Sequence, residues 1–308
     1  MTDKSPKSST LLSVVIPIRG MVNRLTSLTT TLENLSDLPI QIVLVHDDAN
    51  DGTHEQLETI MKKLRNENIS LQRLEVCSPG LARNLGLEKA TSDWVAFWDS
   101  DDLPNPGAFL NLIRETKERN ALVGIGQIAS NAGDGSTVEI HLIKPDSKNF
   151  LYQLANMPGF TRMVFNRSVI YQTRFNSLRS GEDQCFLRDL NFLNYPYYVS
   201  EEVVYVYFTS RYGQLSQNAI AKRDTVKALE HLSNLYRIST GQMRIFSFAQ
   251  IVKIFFSVFK NLIKDRDQTF FSYGTLKASK VLSGHPLKAL QLALYFWSHR
   301  VGLAGRRG

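Results

Sequence analysis

Along the first 130 residues, hydrophobic positions come in short solid blocks. Between the blocks they recur every three or four residues, and that alternation predicts strands and helices in turn. LLSVVIPI (11–18) is β-branched and apolar on both alternating faces, as a fully buried strand requires. Leucines at 25, 28, 32 and 35 follow on helical spacing. IQIVLV (40–45) is a second buried strand, followed by an Asp/Asn/Gly cluster and a helix over 54–66. SLQRLEV (70–76) reads as a strand, and Ser78-Pro79 then opens a helix that runs through Ala90. WVAFW (94–98), a helix over 106–119 and the strand ALVGIGQIA (121–129) continue the series. The order implies an α/β fold, a mostly parallel sheet with helices on both faces, whose ligands bind beyond the carboxyl ends of the strands. After 130 the pattern loosens. NAGDGST (131–137) reads as a turn between strands, 182–193 as a helix and VVYVYF (203–208) as a strand, and from 219 onward the periodicity is helical.

Charge divides the chain more sharply than hydrophobicity does. Residues 1–218 hold 21 Lys/Arg against 25 Asp/Glu, whereas 219–308 hold 15 against 4, so the net charge of +7 arises in the second part. A basic helical extension calls for an anionic partner, and the acidic part holds the candidate chemistry. The opening MTDKSPKSST is polar with no apolar run behind it, and 1–10 is expected to be a disordered leader without signal or anchor. Cys77 and Cys185 stand in no metal or redox spacing and are expected to be unpaired buried thiols.

Three acidic clusters stand where strands or helices begin or end. VAFWDSDD (95–102) runs a buried strand into Asp99, Asp101 and Asp102. On extended backbone Asp99 and Asp101 point to one side about 7 Å apart, and Mg²⁺ or Mn²⁺ is commonly held by one or two carboxylates together with substrate phosphates. The bland alternative is a solvated turn in which Asp102 caps the next helix. An EF-hand is excluded, because the sixth position from Asp99 is Pro104 and the twelfth is Leu110. HDDANDGT (46–53) ends the strand IQIVLV, and SGED (180–183) starts an apolar-patterned helix. Asp183 there is either a general base or, with Glu182, an acid pair favoured by the helix dipole.

Taken in order, SVVIP (13–17), DDANDGT (47–53), PGLARNLGLEKA (79–90), VAFWDSDD (95–102) and RFNSLRSGEDQCF (174–186) resemble the family 2 glycosyltransferases of the GT-A fold. The likeness covers about 11–218. It implies a catalytic domain over 11–218, with a nucleotide-binding part (11–129) and an acceptor side (130–218), followed by the extension 219–308. It also implies inverting transfer of a sugar from a nucleotide-sugar donor, UDP-linked, to a hydroxyl of a glycan or lipid-linked acceptor. Asp99 and Asp101 then match the family's DxD, with Asp101 on a Mn²⁺ or Mg²⁺ ion, Asp99 nearer the ribose and Asp102 extending the cluster. Asp183 is the implied base, with Glu182 beside the acceptor. Arg83 matches a donor-nucleotide position, and Pro17, Ile18 and Asp47 line the base pocket, with Asp48 the alternative to Asp47. Tyr207 to Arg211 with Gln214 to Ser216 resembles a loop that closes over the diphosphate. Two departures stand out: Ile18-Arg19-Gly20 replaces the usual Tyr-Asn type pair, and HDDANDGT replaces DDxSxDxT.

The extension has two amphipathic stretches. In SFAQIVKIFFSVFKNLIK (247–264), Phe248, Ile251, Val252, Phe255, Phe259 and Leu262 share one helical face opposite Lys253, Ser257, Lys260 and Lys264. In PLKALQLALYFWSHR (286–300), Leu287, Leu290, Leu294 and Trp297 are in register. No uninterrupted apolar run of membrane-spanning length occurs. The faces therefore fit an anionic membrane surface touched through 246–308, or packing against the catalytic domain or a second copy. Nucleic acid is disfavoured, since no binding module is present. The expected location is cytoplasmic, peripheral on the inner membrane's cytoplasmic face. The rival from another class is a membrane-recruited nucleotide-binding scaffold without turnover.

Overall fold

The computed structural model describes residues 10–20, 25–35, 37–47, 52–131, 138–156, 159–208, 219–265 and 273–304, the side chains of 27, 219–221, 260–265, 273 and 297–304 excepted. The elements run β1 (Leu12–Ile18), α1 (Leu25–Glu33), β2 (Ile40–Asp47), α2 (Thr53–Leu64), β3 (Ile69–Leu74), α3 (Pro79–Lys89), β4 (Trp94–Phe97), β5 (Leu103–Pro104), α4 (Pro106–Glu118), β6 (Val123–Asn131), β7 (Glu139–His141), α5 (Phe150–Asn156), β8 (Met163–Asn166), α6 (Arg167–Ile170), α7 (Glu182–Leu190) and β9 (Tyr197–Phe208). Helices α8 (Ala219–Ile238), α9 (Gly241–Asp265), α10 (Tyr273–Ser283) and α11 (Pro286–Ala304) follow, and 3-10 turns lie at Phe160–Arg162 and Phe192–Asn194. The chain forms two compact units that interleave in sequence. One holds Met1–Leu142, Phe160–Ser177 and Tyr195–Tyr212; the other holds Ile143–Gly159, Leu178–Asn194 and Gly213–Gly308.

The first unit is built on one sheet in the order β3-β2-β1-β4-β8-β6-β9-β5, with β7 on β6. β3, β2, β1 and β4 are all parallel, with Leu12 opposite both Ile40 and Trp94. β1 is buried on both faces, and its sequence is accordingly almost unbroken in apolar residues. Beyond β4 the sheet is mixed. β8 runs antiparallel to β4 and β6, β6 and β9 are parallel, and β5 and β7 are antiparallel additions. The expected parallel order thus holds for the first four strands, and hydrophobic periodicity carries no information on strand direction in the rest. β9 also starts six residues earlier than VVYVYF suggests. Its first part pairs with Val123–Ile125, and the register shifts between Ile125 and Ile128, where the Gln127 amide donates to the Ser200 carbonyl. Polar Ser200-Glu201-Glu202 occupies that irregularity and masks the strand in the sequence.

Helix α3 starts as its sequence predicts. The Ser78 hydroxyl accepts from the Leu81 N–H at 3.3 Å, and Pro79 occupies the first turn, where no N–H is needed. Two glycines let it lie close to its neighbours: a Cβ on Gly86 would meet Val15 Cγ1 at 2.2 Å, and one on Gly80 would meet the Asn176 carbonyl at 2.1 Å.

In the second unit α9 packs against α5, α7, α8, α10 and α11. Phe246, Phe248, Ala249, Ile251 and Val252 are buried there, and Lys253 Nζ donates to the Ala155 carbonyl at 3.1 Å. The stripe that the sequence offered to a membrane therefore serves as core along Phe248, Ile251 and Val252, leaving Phe256 and Phe259 exposed. Gly241–Phe259 is long and apolar enough to cross a membrane by length and composition, although polar residues interrupt it, and 56% of its apolar window is buried within the protein. Both cysteines are free; Cys185 is buried, whereas Cys77 is only half-buried and has a left-handed φ of 55°.

Candidate active site

The parallel strands deliver their carboxyl ends to one edge. Ile18 pairs with His46 at the end of β2, and Val15 pairs with Phe97 at the end of β4, so Pro17, Ile18, Asp47 and Asp99 follow one another along that edge. The Ile18 side chain is buried in the core, which leaves only its backbone to offer a ligand; Pro17 is half-buried.

Asp47 is buried and fully engaged. Its Oδ1 accepts from the N–H groups of Val76 and Cys77 at 3.0 and 2.8 Å, its Oδ2 accepts from the Ser78 N–H at 2.6 Å, and Arg19 lies 3.7 Å away. This carboxylate orders the turn into α3, including the left-handed Cys77. His46 is buried beside it, with Nδ1 3.3 Å from Nδ1 of His54. Asp48 and Arg211 lie outside the described residues, as do Thr209, Ser210 and Gln214 to Ser216 of the expected closing loop.

The three acids of DSDD have three different environments. Asp99 Oδ1 accepts from Arg83 Nη2 at 2.8 Å, and the Arg83 guanidinium is itself buried over the rings of Phe160 at 4.7 Å and Phe175 at 5.6 Å. Those rings meet Phe97 edge-on, which ties the clamp to β4. Asn84, one residue on from Arg83, exchanges two 2.8 Å hydrogen bonds with the Phe175 backbone and holds that wall in place. Asp101 is half-exposed and forms no hydrogen bond or ion pair among the described residues. Asp102 is buried, with Oδ2 accepting from the Tyr205 hydroxyl and Oδ1 from the Phe208 N–H, both at 3.0 Å. The same hydroxyl accepts from the Asp99 N–H at 2.9 Å. Burial, and then the neighbouring charge of Asp99, push the Asp102 carboxyl up to about 8. Burial and the adjacent carboxylates raise the Tyr205 hydroxyl well above its ordinary range.

The turn is therefore braced from β9 through Tyr205, a residue absent from the sequence reading because only the β5–β9 pairing brings it here. Asp102 does not cap α4; Asn105 does, accepting from the Ala108 N–H at 3.1 Å. Among the described residues no three acidic, imidazole or thiol groups form a cation cage. The Asp101 carboxylate, which forms no hydrogen bond or ion pair among the described residues, and the Asp99 carboxylate held by Arg83 are a donor set that suits a hard divalent cation completed by phosphate oxygens.

Glu182 and Asp183 lie in the second unit, in the first turn of α7, with Gly181 before them at φ 82°. A Cβ at Gly181 would stand 2.7 Å from that of Ala228. Glu182 is buried and Asp183 half-buried. Asp183 Oδ2 accepts from Gln184 Nε2 at 2.9 Å, and Gln184 Oε1 accepts from Gln250 Nε2 of α9 at 2.9 Å. An amide relay thus orients the carboxylate from the helical extension, and no local signal at Gln250 announces it.

The profile of Glycosyl transferase family 2 matches residues 13–174, just over half of the chain, and the chain belongs to that family. It is a glycosyltransferase. Over 292 residues it is 23% identical to the GalNAc(5)-diNAcBac-PP-undecaprenol beta-1,3-glucosyltransferase of Campylobacter jejuni, the match covering 92% of this chain and 87% of that one. It is 26% identical over 220 residues to the poly(ribitol-phosphate) beta-N-acetylglucosaminyltransferase TarS of Staphylococcus aureus, covering 67% of this chain but only 37% of that relative's length. The crystal structure of TarS 1–349 in complex with UDP-GlcNAc is similar at a TM-score of 0.66 and 18% identity, over 84% of this chain and 77% of that one. The mannosyltransferase PcManGT from Pyrobaculum calidifontis, in complex with GDP-Man and Mn²⁺, is similar at a TM-score of 0.55 and 16% identity, over 99% and 92%. These structural likenesses establish the fold as GT-A.

Proposed function

We propose that this protein is an inverting transferase that moves a sugar from a UDP-linked donor to a hydroxyl of a glycan or lipid-linked acceptor, in bacterial-type assembly of a surface polysaccharide. The observation that carries the reading is the division of labour in DSDD: Asp102 is consumed by the brace, Asp99 is clamped by Arg83, and Asp101 forms no hydrogen bond or ion pair among the described residues. Asp101 and Asp99 would hold Mn²⁺ or Mg²⁺. Such an ion, when bound, offsets the charge that accumulates on a departing diphosphate. Asp183 removes the proton from the attacking hydroxyl, its carboxylate fixed by Gln184, with Glu182 at the acceptor. Pro17, Ile18, Asp47 and Arg83 shape the nucleotide side, together with Asp48 and Arg211. The TarS complex with UDP-GlcNAc supports a uridine nucleotide, and the names of TarS and the Campylobacter enzyme support a polymer or lipid-linked acceptor.

The test uses the full chain with a panel of UDP- and GDP-sugars and Mn²⁺, and measures nucleoside diphosphate release with and without a chelator. We expect slow, metal-dependent release from one UDP-sugar. Binding without release from any donor would return the scaffold reading.

Membrane contact belongs to the same proposal, with its site moved to α11. Leu287, Leu290 and Leu294 are 76%, 55% and 54% exposed on successive turns. No acidic residue follows Asp267, while Lys277, Lys280, Lys288, Arg300, Arg306 and Arg307 do. Lys277 pairs with Glu230 at 3.1 Å, and an apolar ridge on a segment of net positive charge fits the cytoplasmic face of an anionic bilayer. The protein should sediment with vesicles containing anionic lipid, less at high salt, and L290E/L294E should lower the bound fraction several-fold. Undiminished binding by that variant would exclude the ridge. Self-association that is lost in it, without vesicle binding by the wild type, would assign the ridge to a second copy.

A further inference from the structure

Gln250 lies on α9 among Ala249, Ile251 and Val252, with none of its surface exposed, and its amide reaches across to α7. Nε2 stands 2.9 Å from Gln184 Oε1 and 3.3 Å from the Gln184 carbonyl oxygen, whereas Gln250 Oε1 is buried without a partner. Two acceptors facing one end of an amide fix its orientation, because an oxygen in that place would meet only lone pairs. The constraint then passes to Gln184. With Oε1 turned to Gln250, the end left for Asp183 is Nε2, which donates to Oδ2 at 2.9 Å. Asp183 Oδ1 forms no hydrogen bond or ion pair among the described residues.

A side chain serving stability alone would be apolar at this place. A buried amide oxygen without a partner is unfavourable, and a methionine of similar length would avoid it. What the glutamine supplies is the pair of bonds from Nε2. Without them nothing keeps the nitrogen end of Gln184 toward the acid, and the amide turned over would set Oε1 against a carboxylate. Hydrogen bonds in series also polarise one another, so a Gln184 that accepts from Gln250 donates more strongly to Asp183. The anchor is itself fixed. Phe246, Phe248 and Ile251 bury α9, Lys253 Nζ donates to the Ala155 carbonyl at 3.1 Å, and all of these groups lie with Asp183 in the second compact unit.

We propose that Gln250 is a positioning residue for the transfer reaction: it sets the sense of the Gln184 amide, which engages Oδ2 of Asp183 and leaves Oδ1 as the oxygen that takes the proton. This rests on the reading of Asp183 as the base, and it adds that the helical extension is a working part of the catalyst. The acceptor O–H bond breaks and its proton goes to Oδ1. The electron pair of that oxygen forms the bond to the anomeric carbon, and the bond from that carbon to the diphosphate breaks, its pair leaving on the phosphate. Gln250 acts on this step and not on the nucleotide, so its loss lowers turnover and spares donor binding.

A double-mutant cycle in the full chain tests this, with UDP release from the UDP-sugar that wild type turns over in the panel above. Water takes the acceptor's place, and its O–H must likewise lose a proton to the base. Q250M should lower kcat by about 10-fold, with the donor KM and the UDP-dependent thermal stabilisation in Mn²⁺ unchanged. Q184M should lose a similar factor, and Q184M/Q250M should be no slower than Q184M alone, because Gln250 acts only through Gln184. A Q250M enzyme at the wild-type kcat would overturn the proposal, as would a change in KM alone. Additive losses in the double variant would also overturn it, assigning Gln250 to the packing of α9. Q250N covers the case in which Met is not tolerated, since its amide is one methylene too short to span to Gln184. A folded Q250N with kcat cut about threefold or more supports the anchor, and an undiminished kcat refutes it. D183N run beside these separates the two levels. If D183N keeps the wild-type rate, or wild type turns over no donor, the base reading fails and takes this proposal with it; a slow D183N beside a fully active Q250M removes this proposal alone.

Discussion

Replacing Asp183 by Asn should reduce sugar transfer by about 10³-fold, within the range that a positioned general base contributes, while UDP-dependent thermal stabilisation in the presence of Mn²⁺ stays at the wild-type level. The amide keeps the size of the carboxylate, and its oxygen can still accept from Gln184 Nε2, so the relay from Gln250 through Gln184 survives. Only basicity is lost. If Asp183 were merely an acid favoured by the α7 dipole, the variant would lose a few tenths of a kcal/mol of stability and no activity. Transfer at the wild-type rate would remove Asp183 from the role. A parallel E182Q variant separates the two acids, because a group that contacts the acceptor changes the KM for the acceptor more than kcat. Glu182 is the more buried of the pair, which suits positioning better than exchange of protons with solvent.

Much of the first unit was legible in the sequence because its signals are local. Ser78-Pro79 starts α3 through a hydroxyl and a missing N–H, and β1 and β2 are apolar on both faces because both faces of each are buried. The acids at the ends of β2 and β4 could be placed on one edge as soon as the strands were taken to be parallel. What escaped depends on partners far along the chain. Tyr205 reads as an ordinary strand tyrosine until β9 pairs with β5 and sets its hydroxyl between the Asp99 N–H and Asp102. Gln250 reads as a polar position on an amphipathic helix. Amphipathicity has the same blindness in α9 and α11. A moment shows that one face avoids water without saying whether protein or lipid covers it, and here Phe248, Ile251 and Val252 went inside while Leu287, Leu290 and Leu294 stayed outside.

The second large effect should separate Asp101 from Asp102, the two acids whose roles sequence alone leaves interchangeable. Asp101 forms no hydrogen bond or ion pair among the described residues, so D101N should unfold within about 1 °C of wild type, as surface substitutions do. Its metal-dependent donor turnover should nevertheless fall by about 10²-fold or more, because one of two carboxylates available to the cation has become a weak neutral ligand. Asp102 should behave in the opposite way. D102A leaves the buried Tyr205 hydroxyl and the Phe208 N–H without their acceptor, costing about 1–3 kcal/mol, and the Asp99 N–H loses the fixed orientation of the hydroxyl it meets. D102N should be far milder. Burial and the Asp99 charge already favour the neutral acid there, with the carboxyl pushed up to about 8, and the amide replaces that neutral group in size and in its accepting oxygen. Measuring Mn²⁺ titrations of donor hydrolysis beside thermal unfolding for all three variants decides the matter. A D102N variant that loses its Mn²⁺ response while D101N keeps it would exchange the two assignments and make the Tyr205 brace a feature of the metal-free state alone.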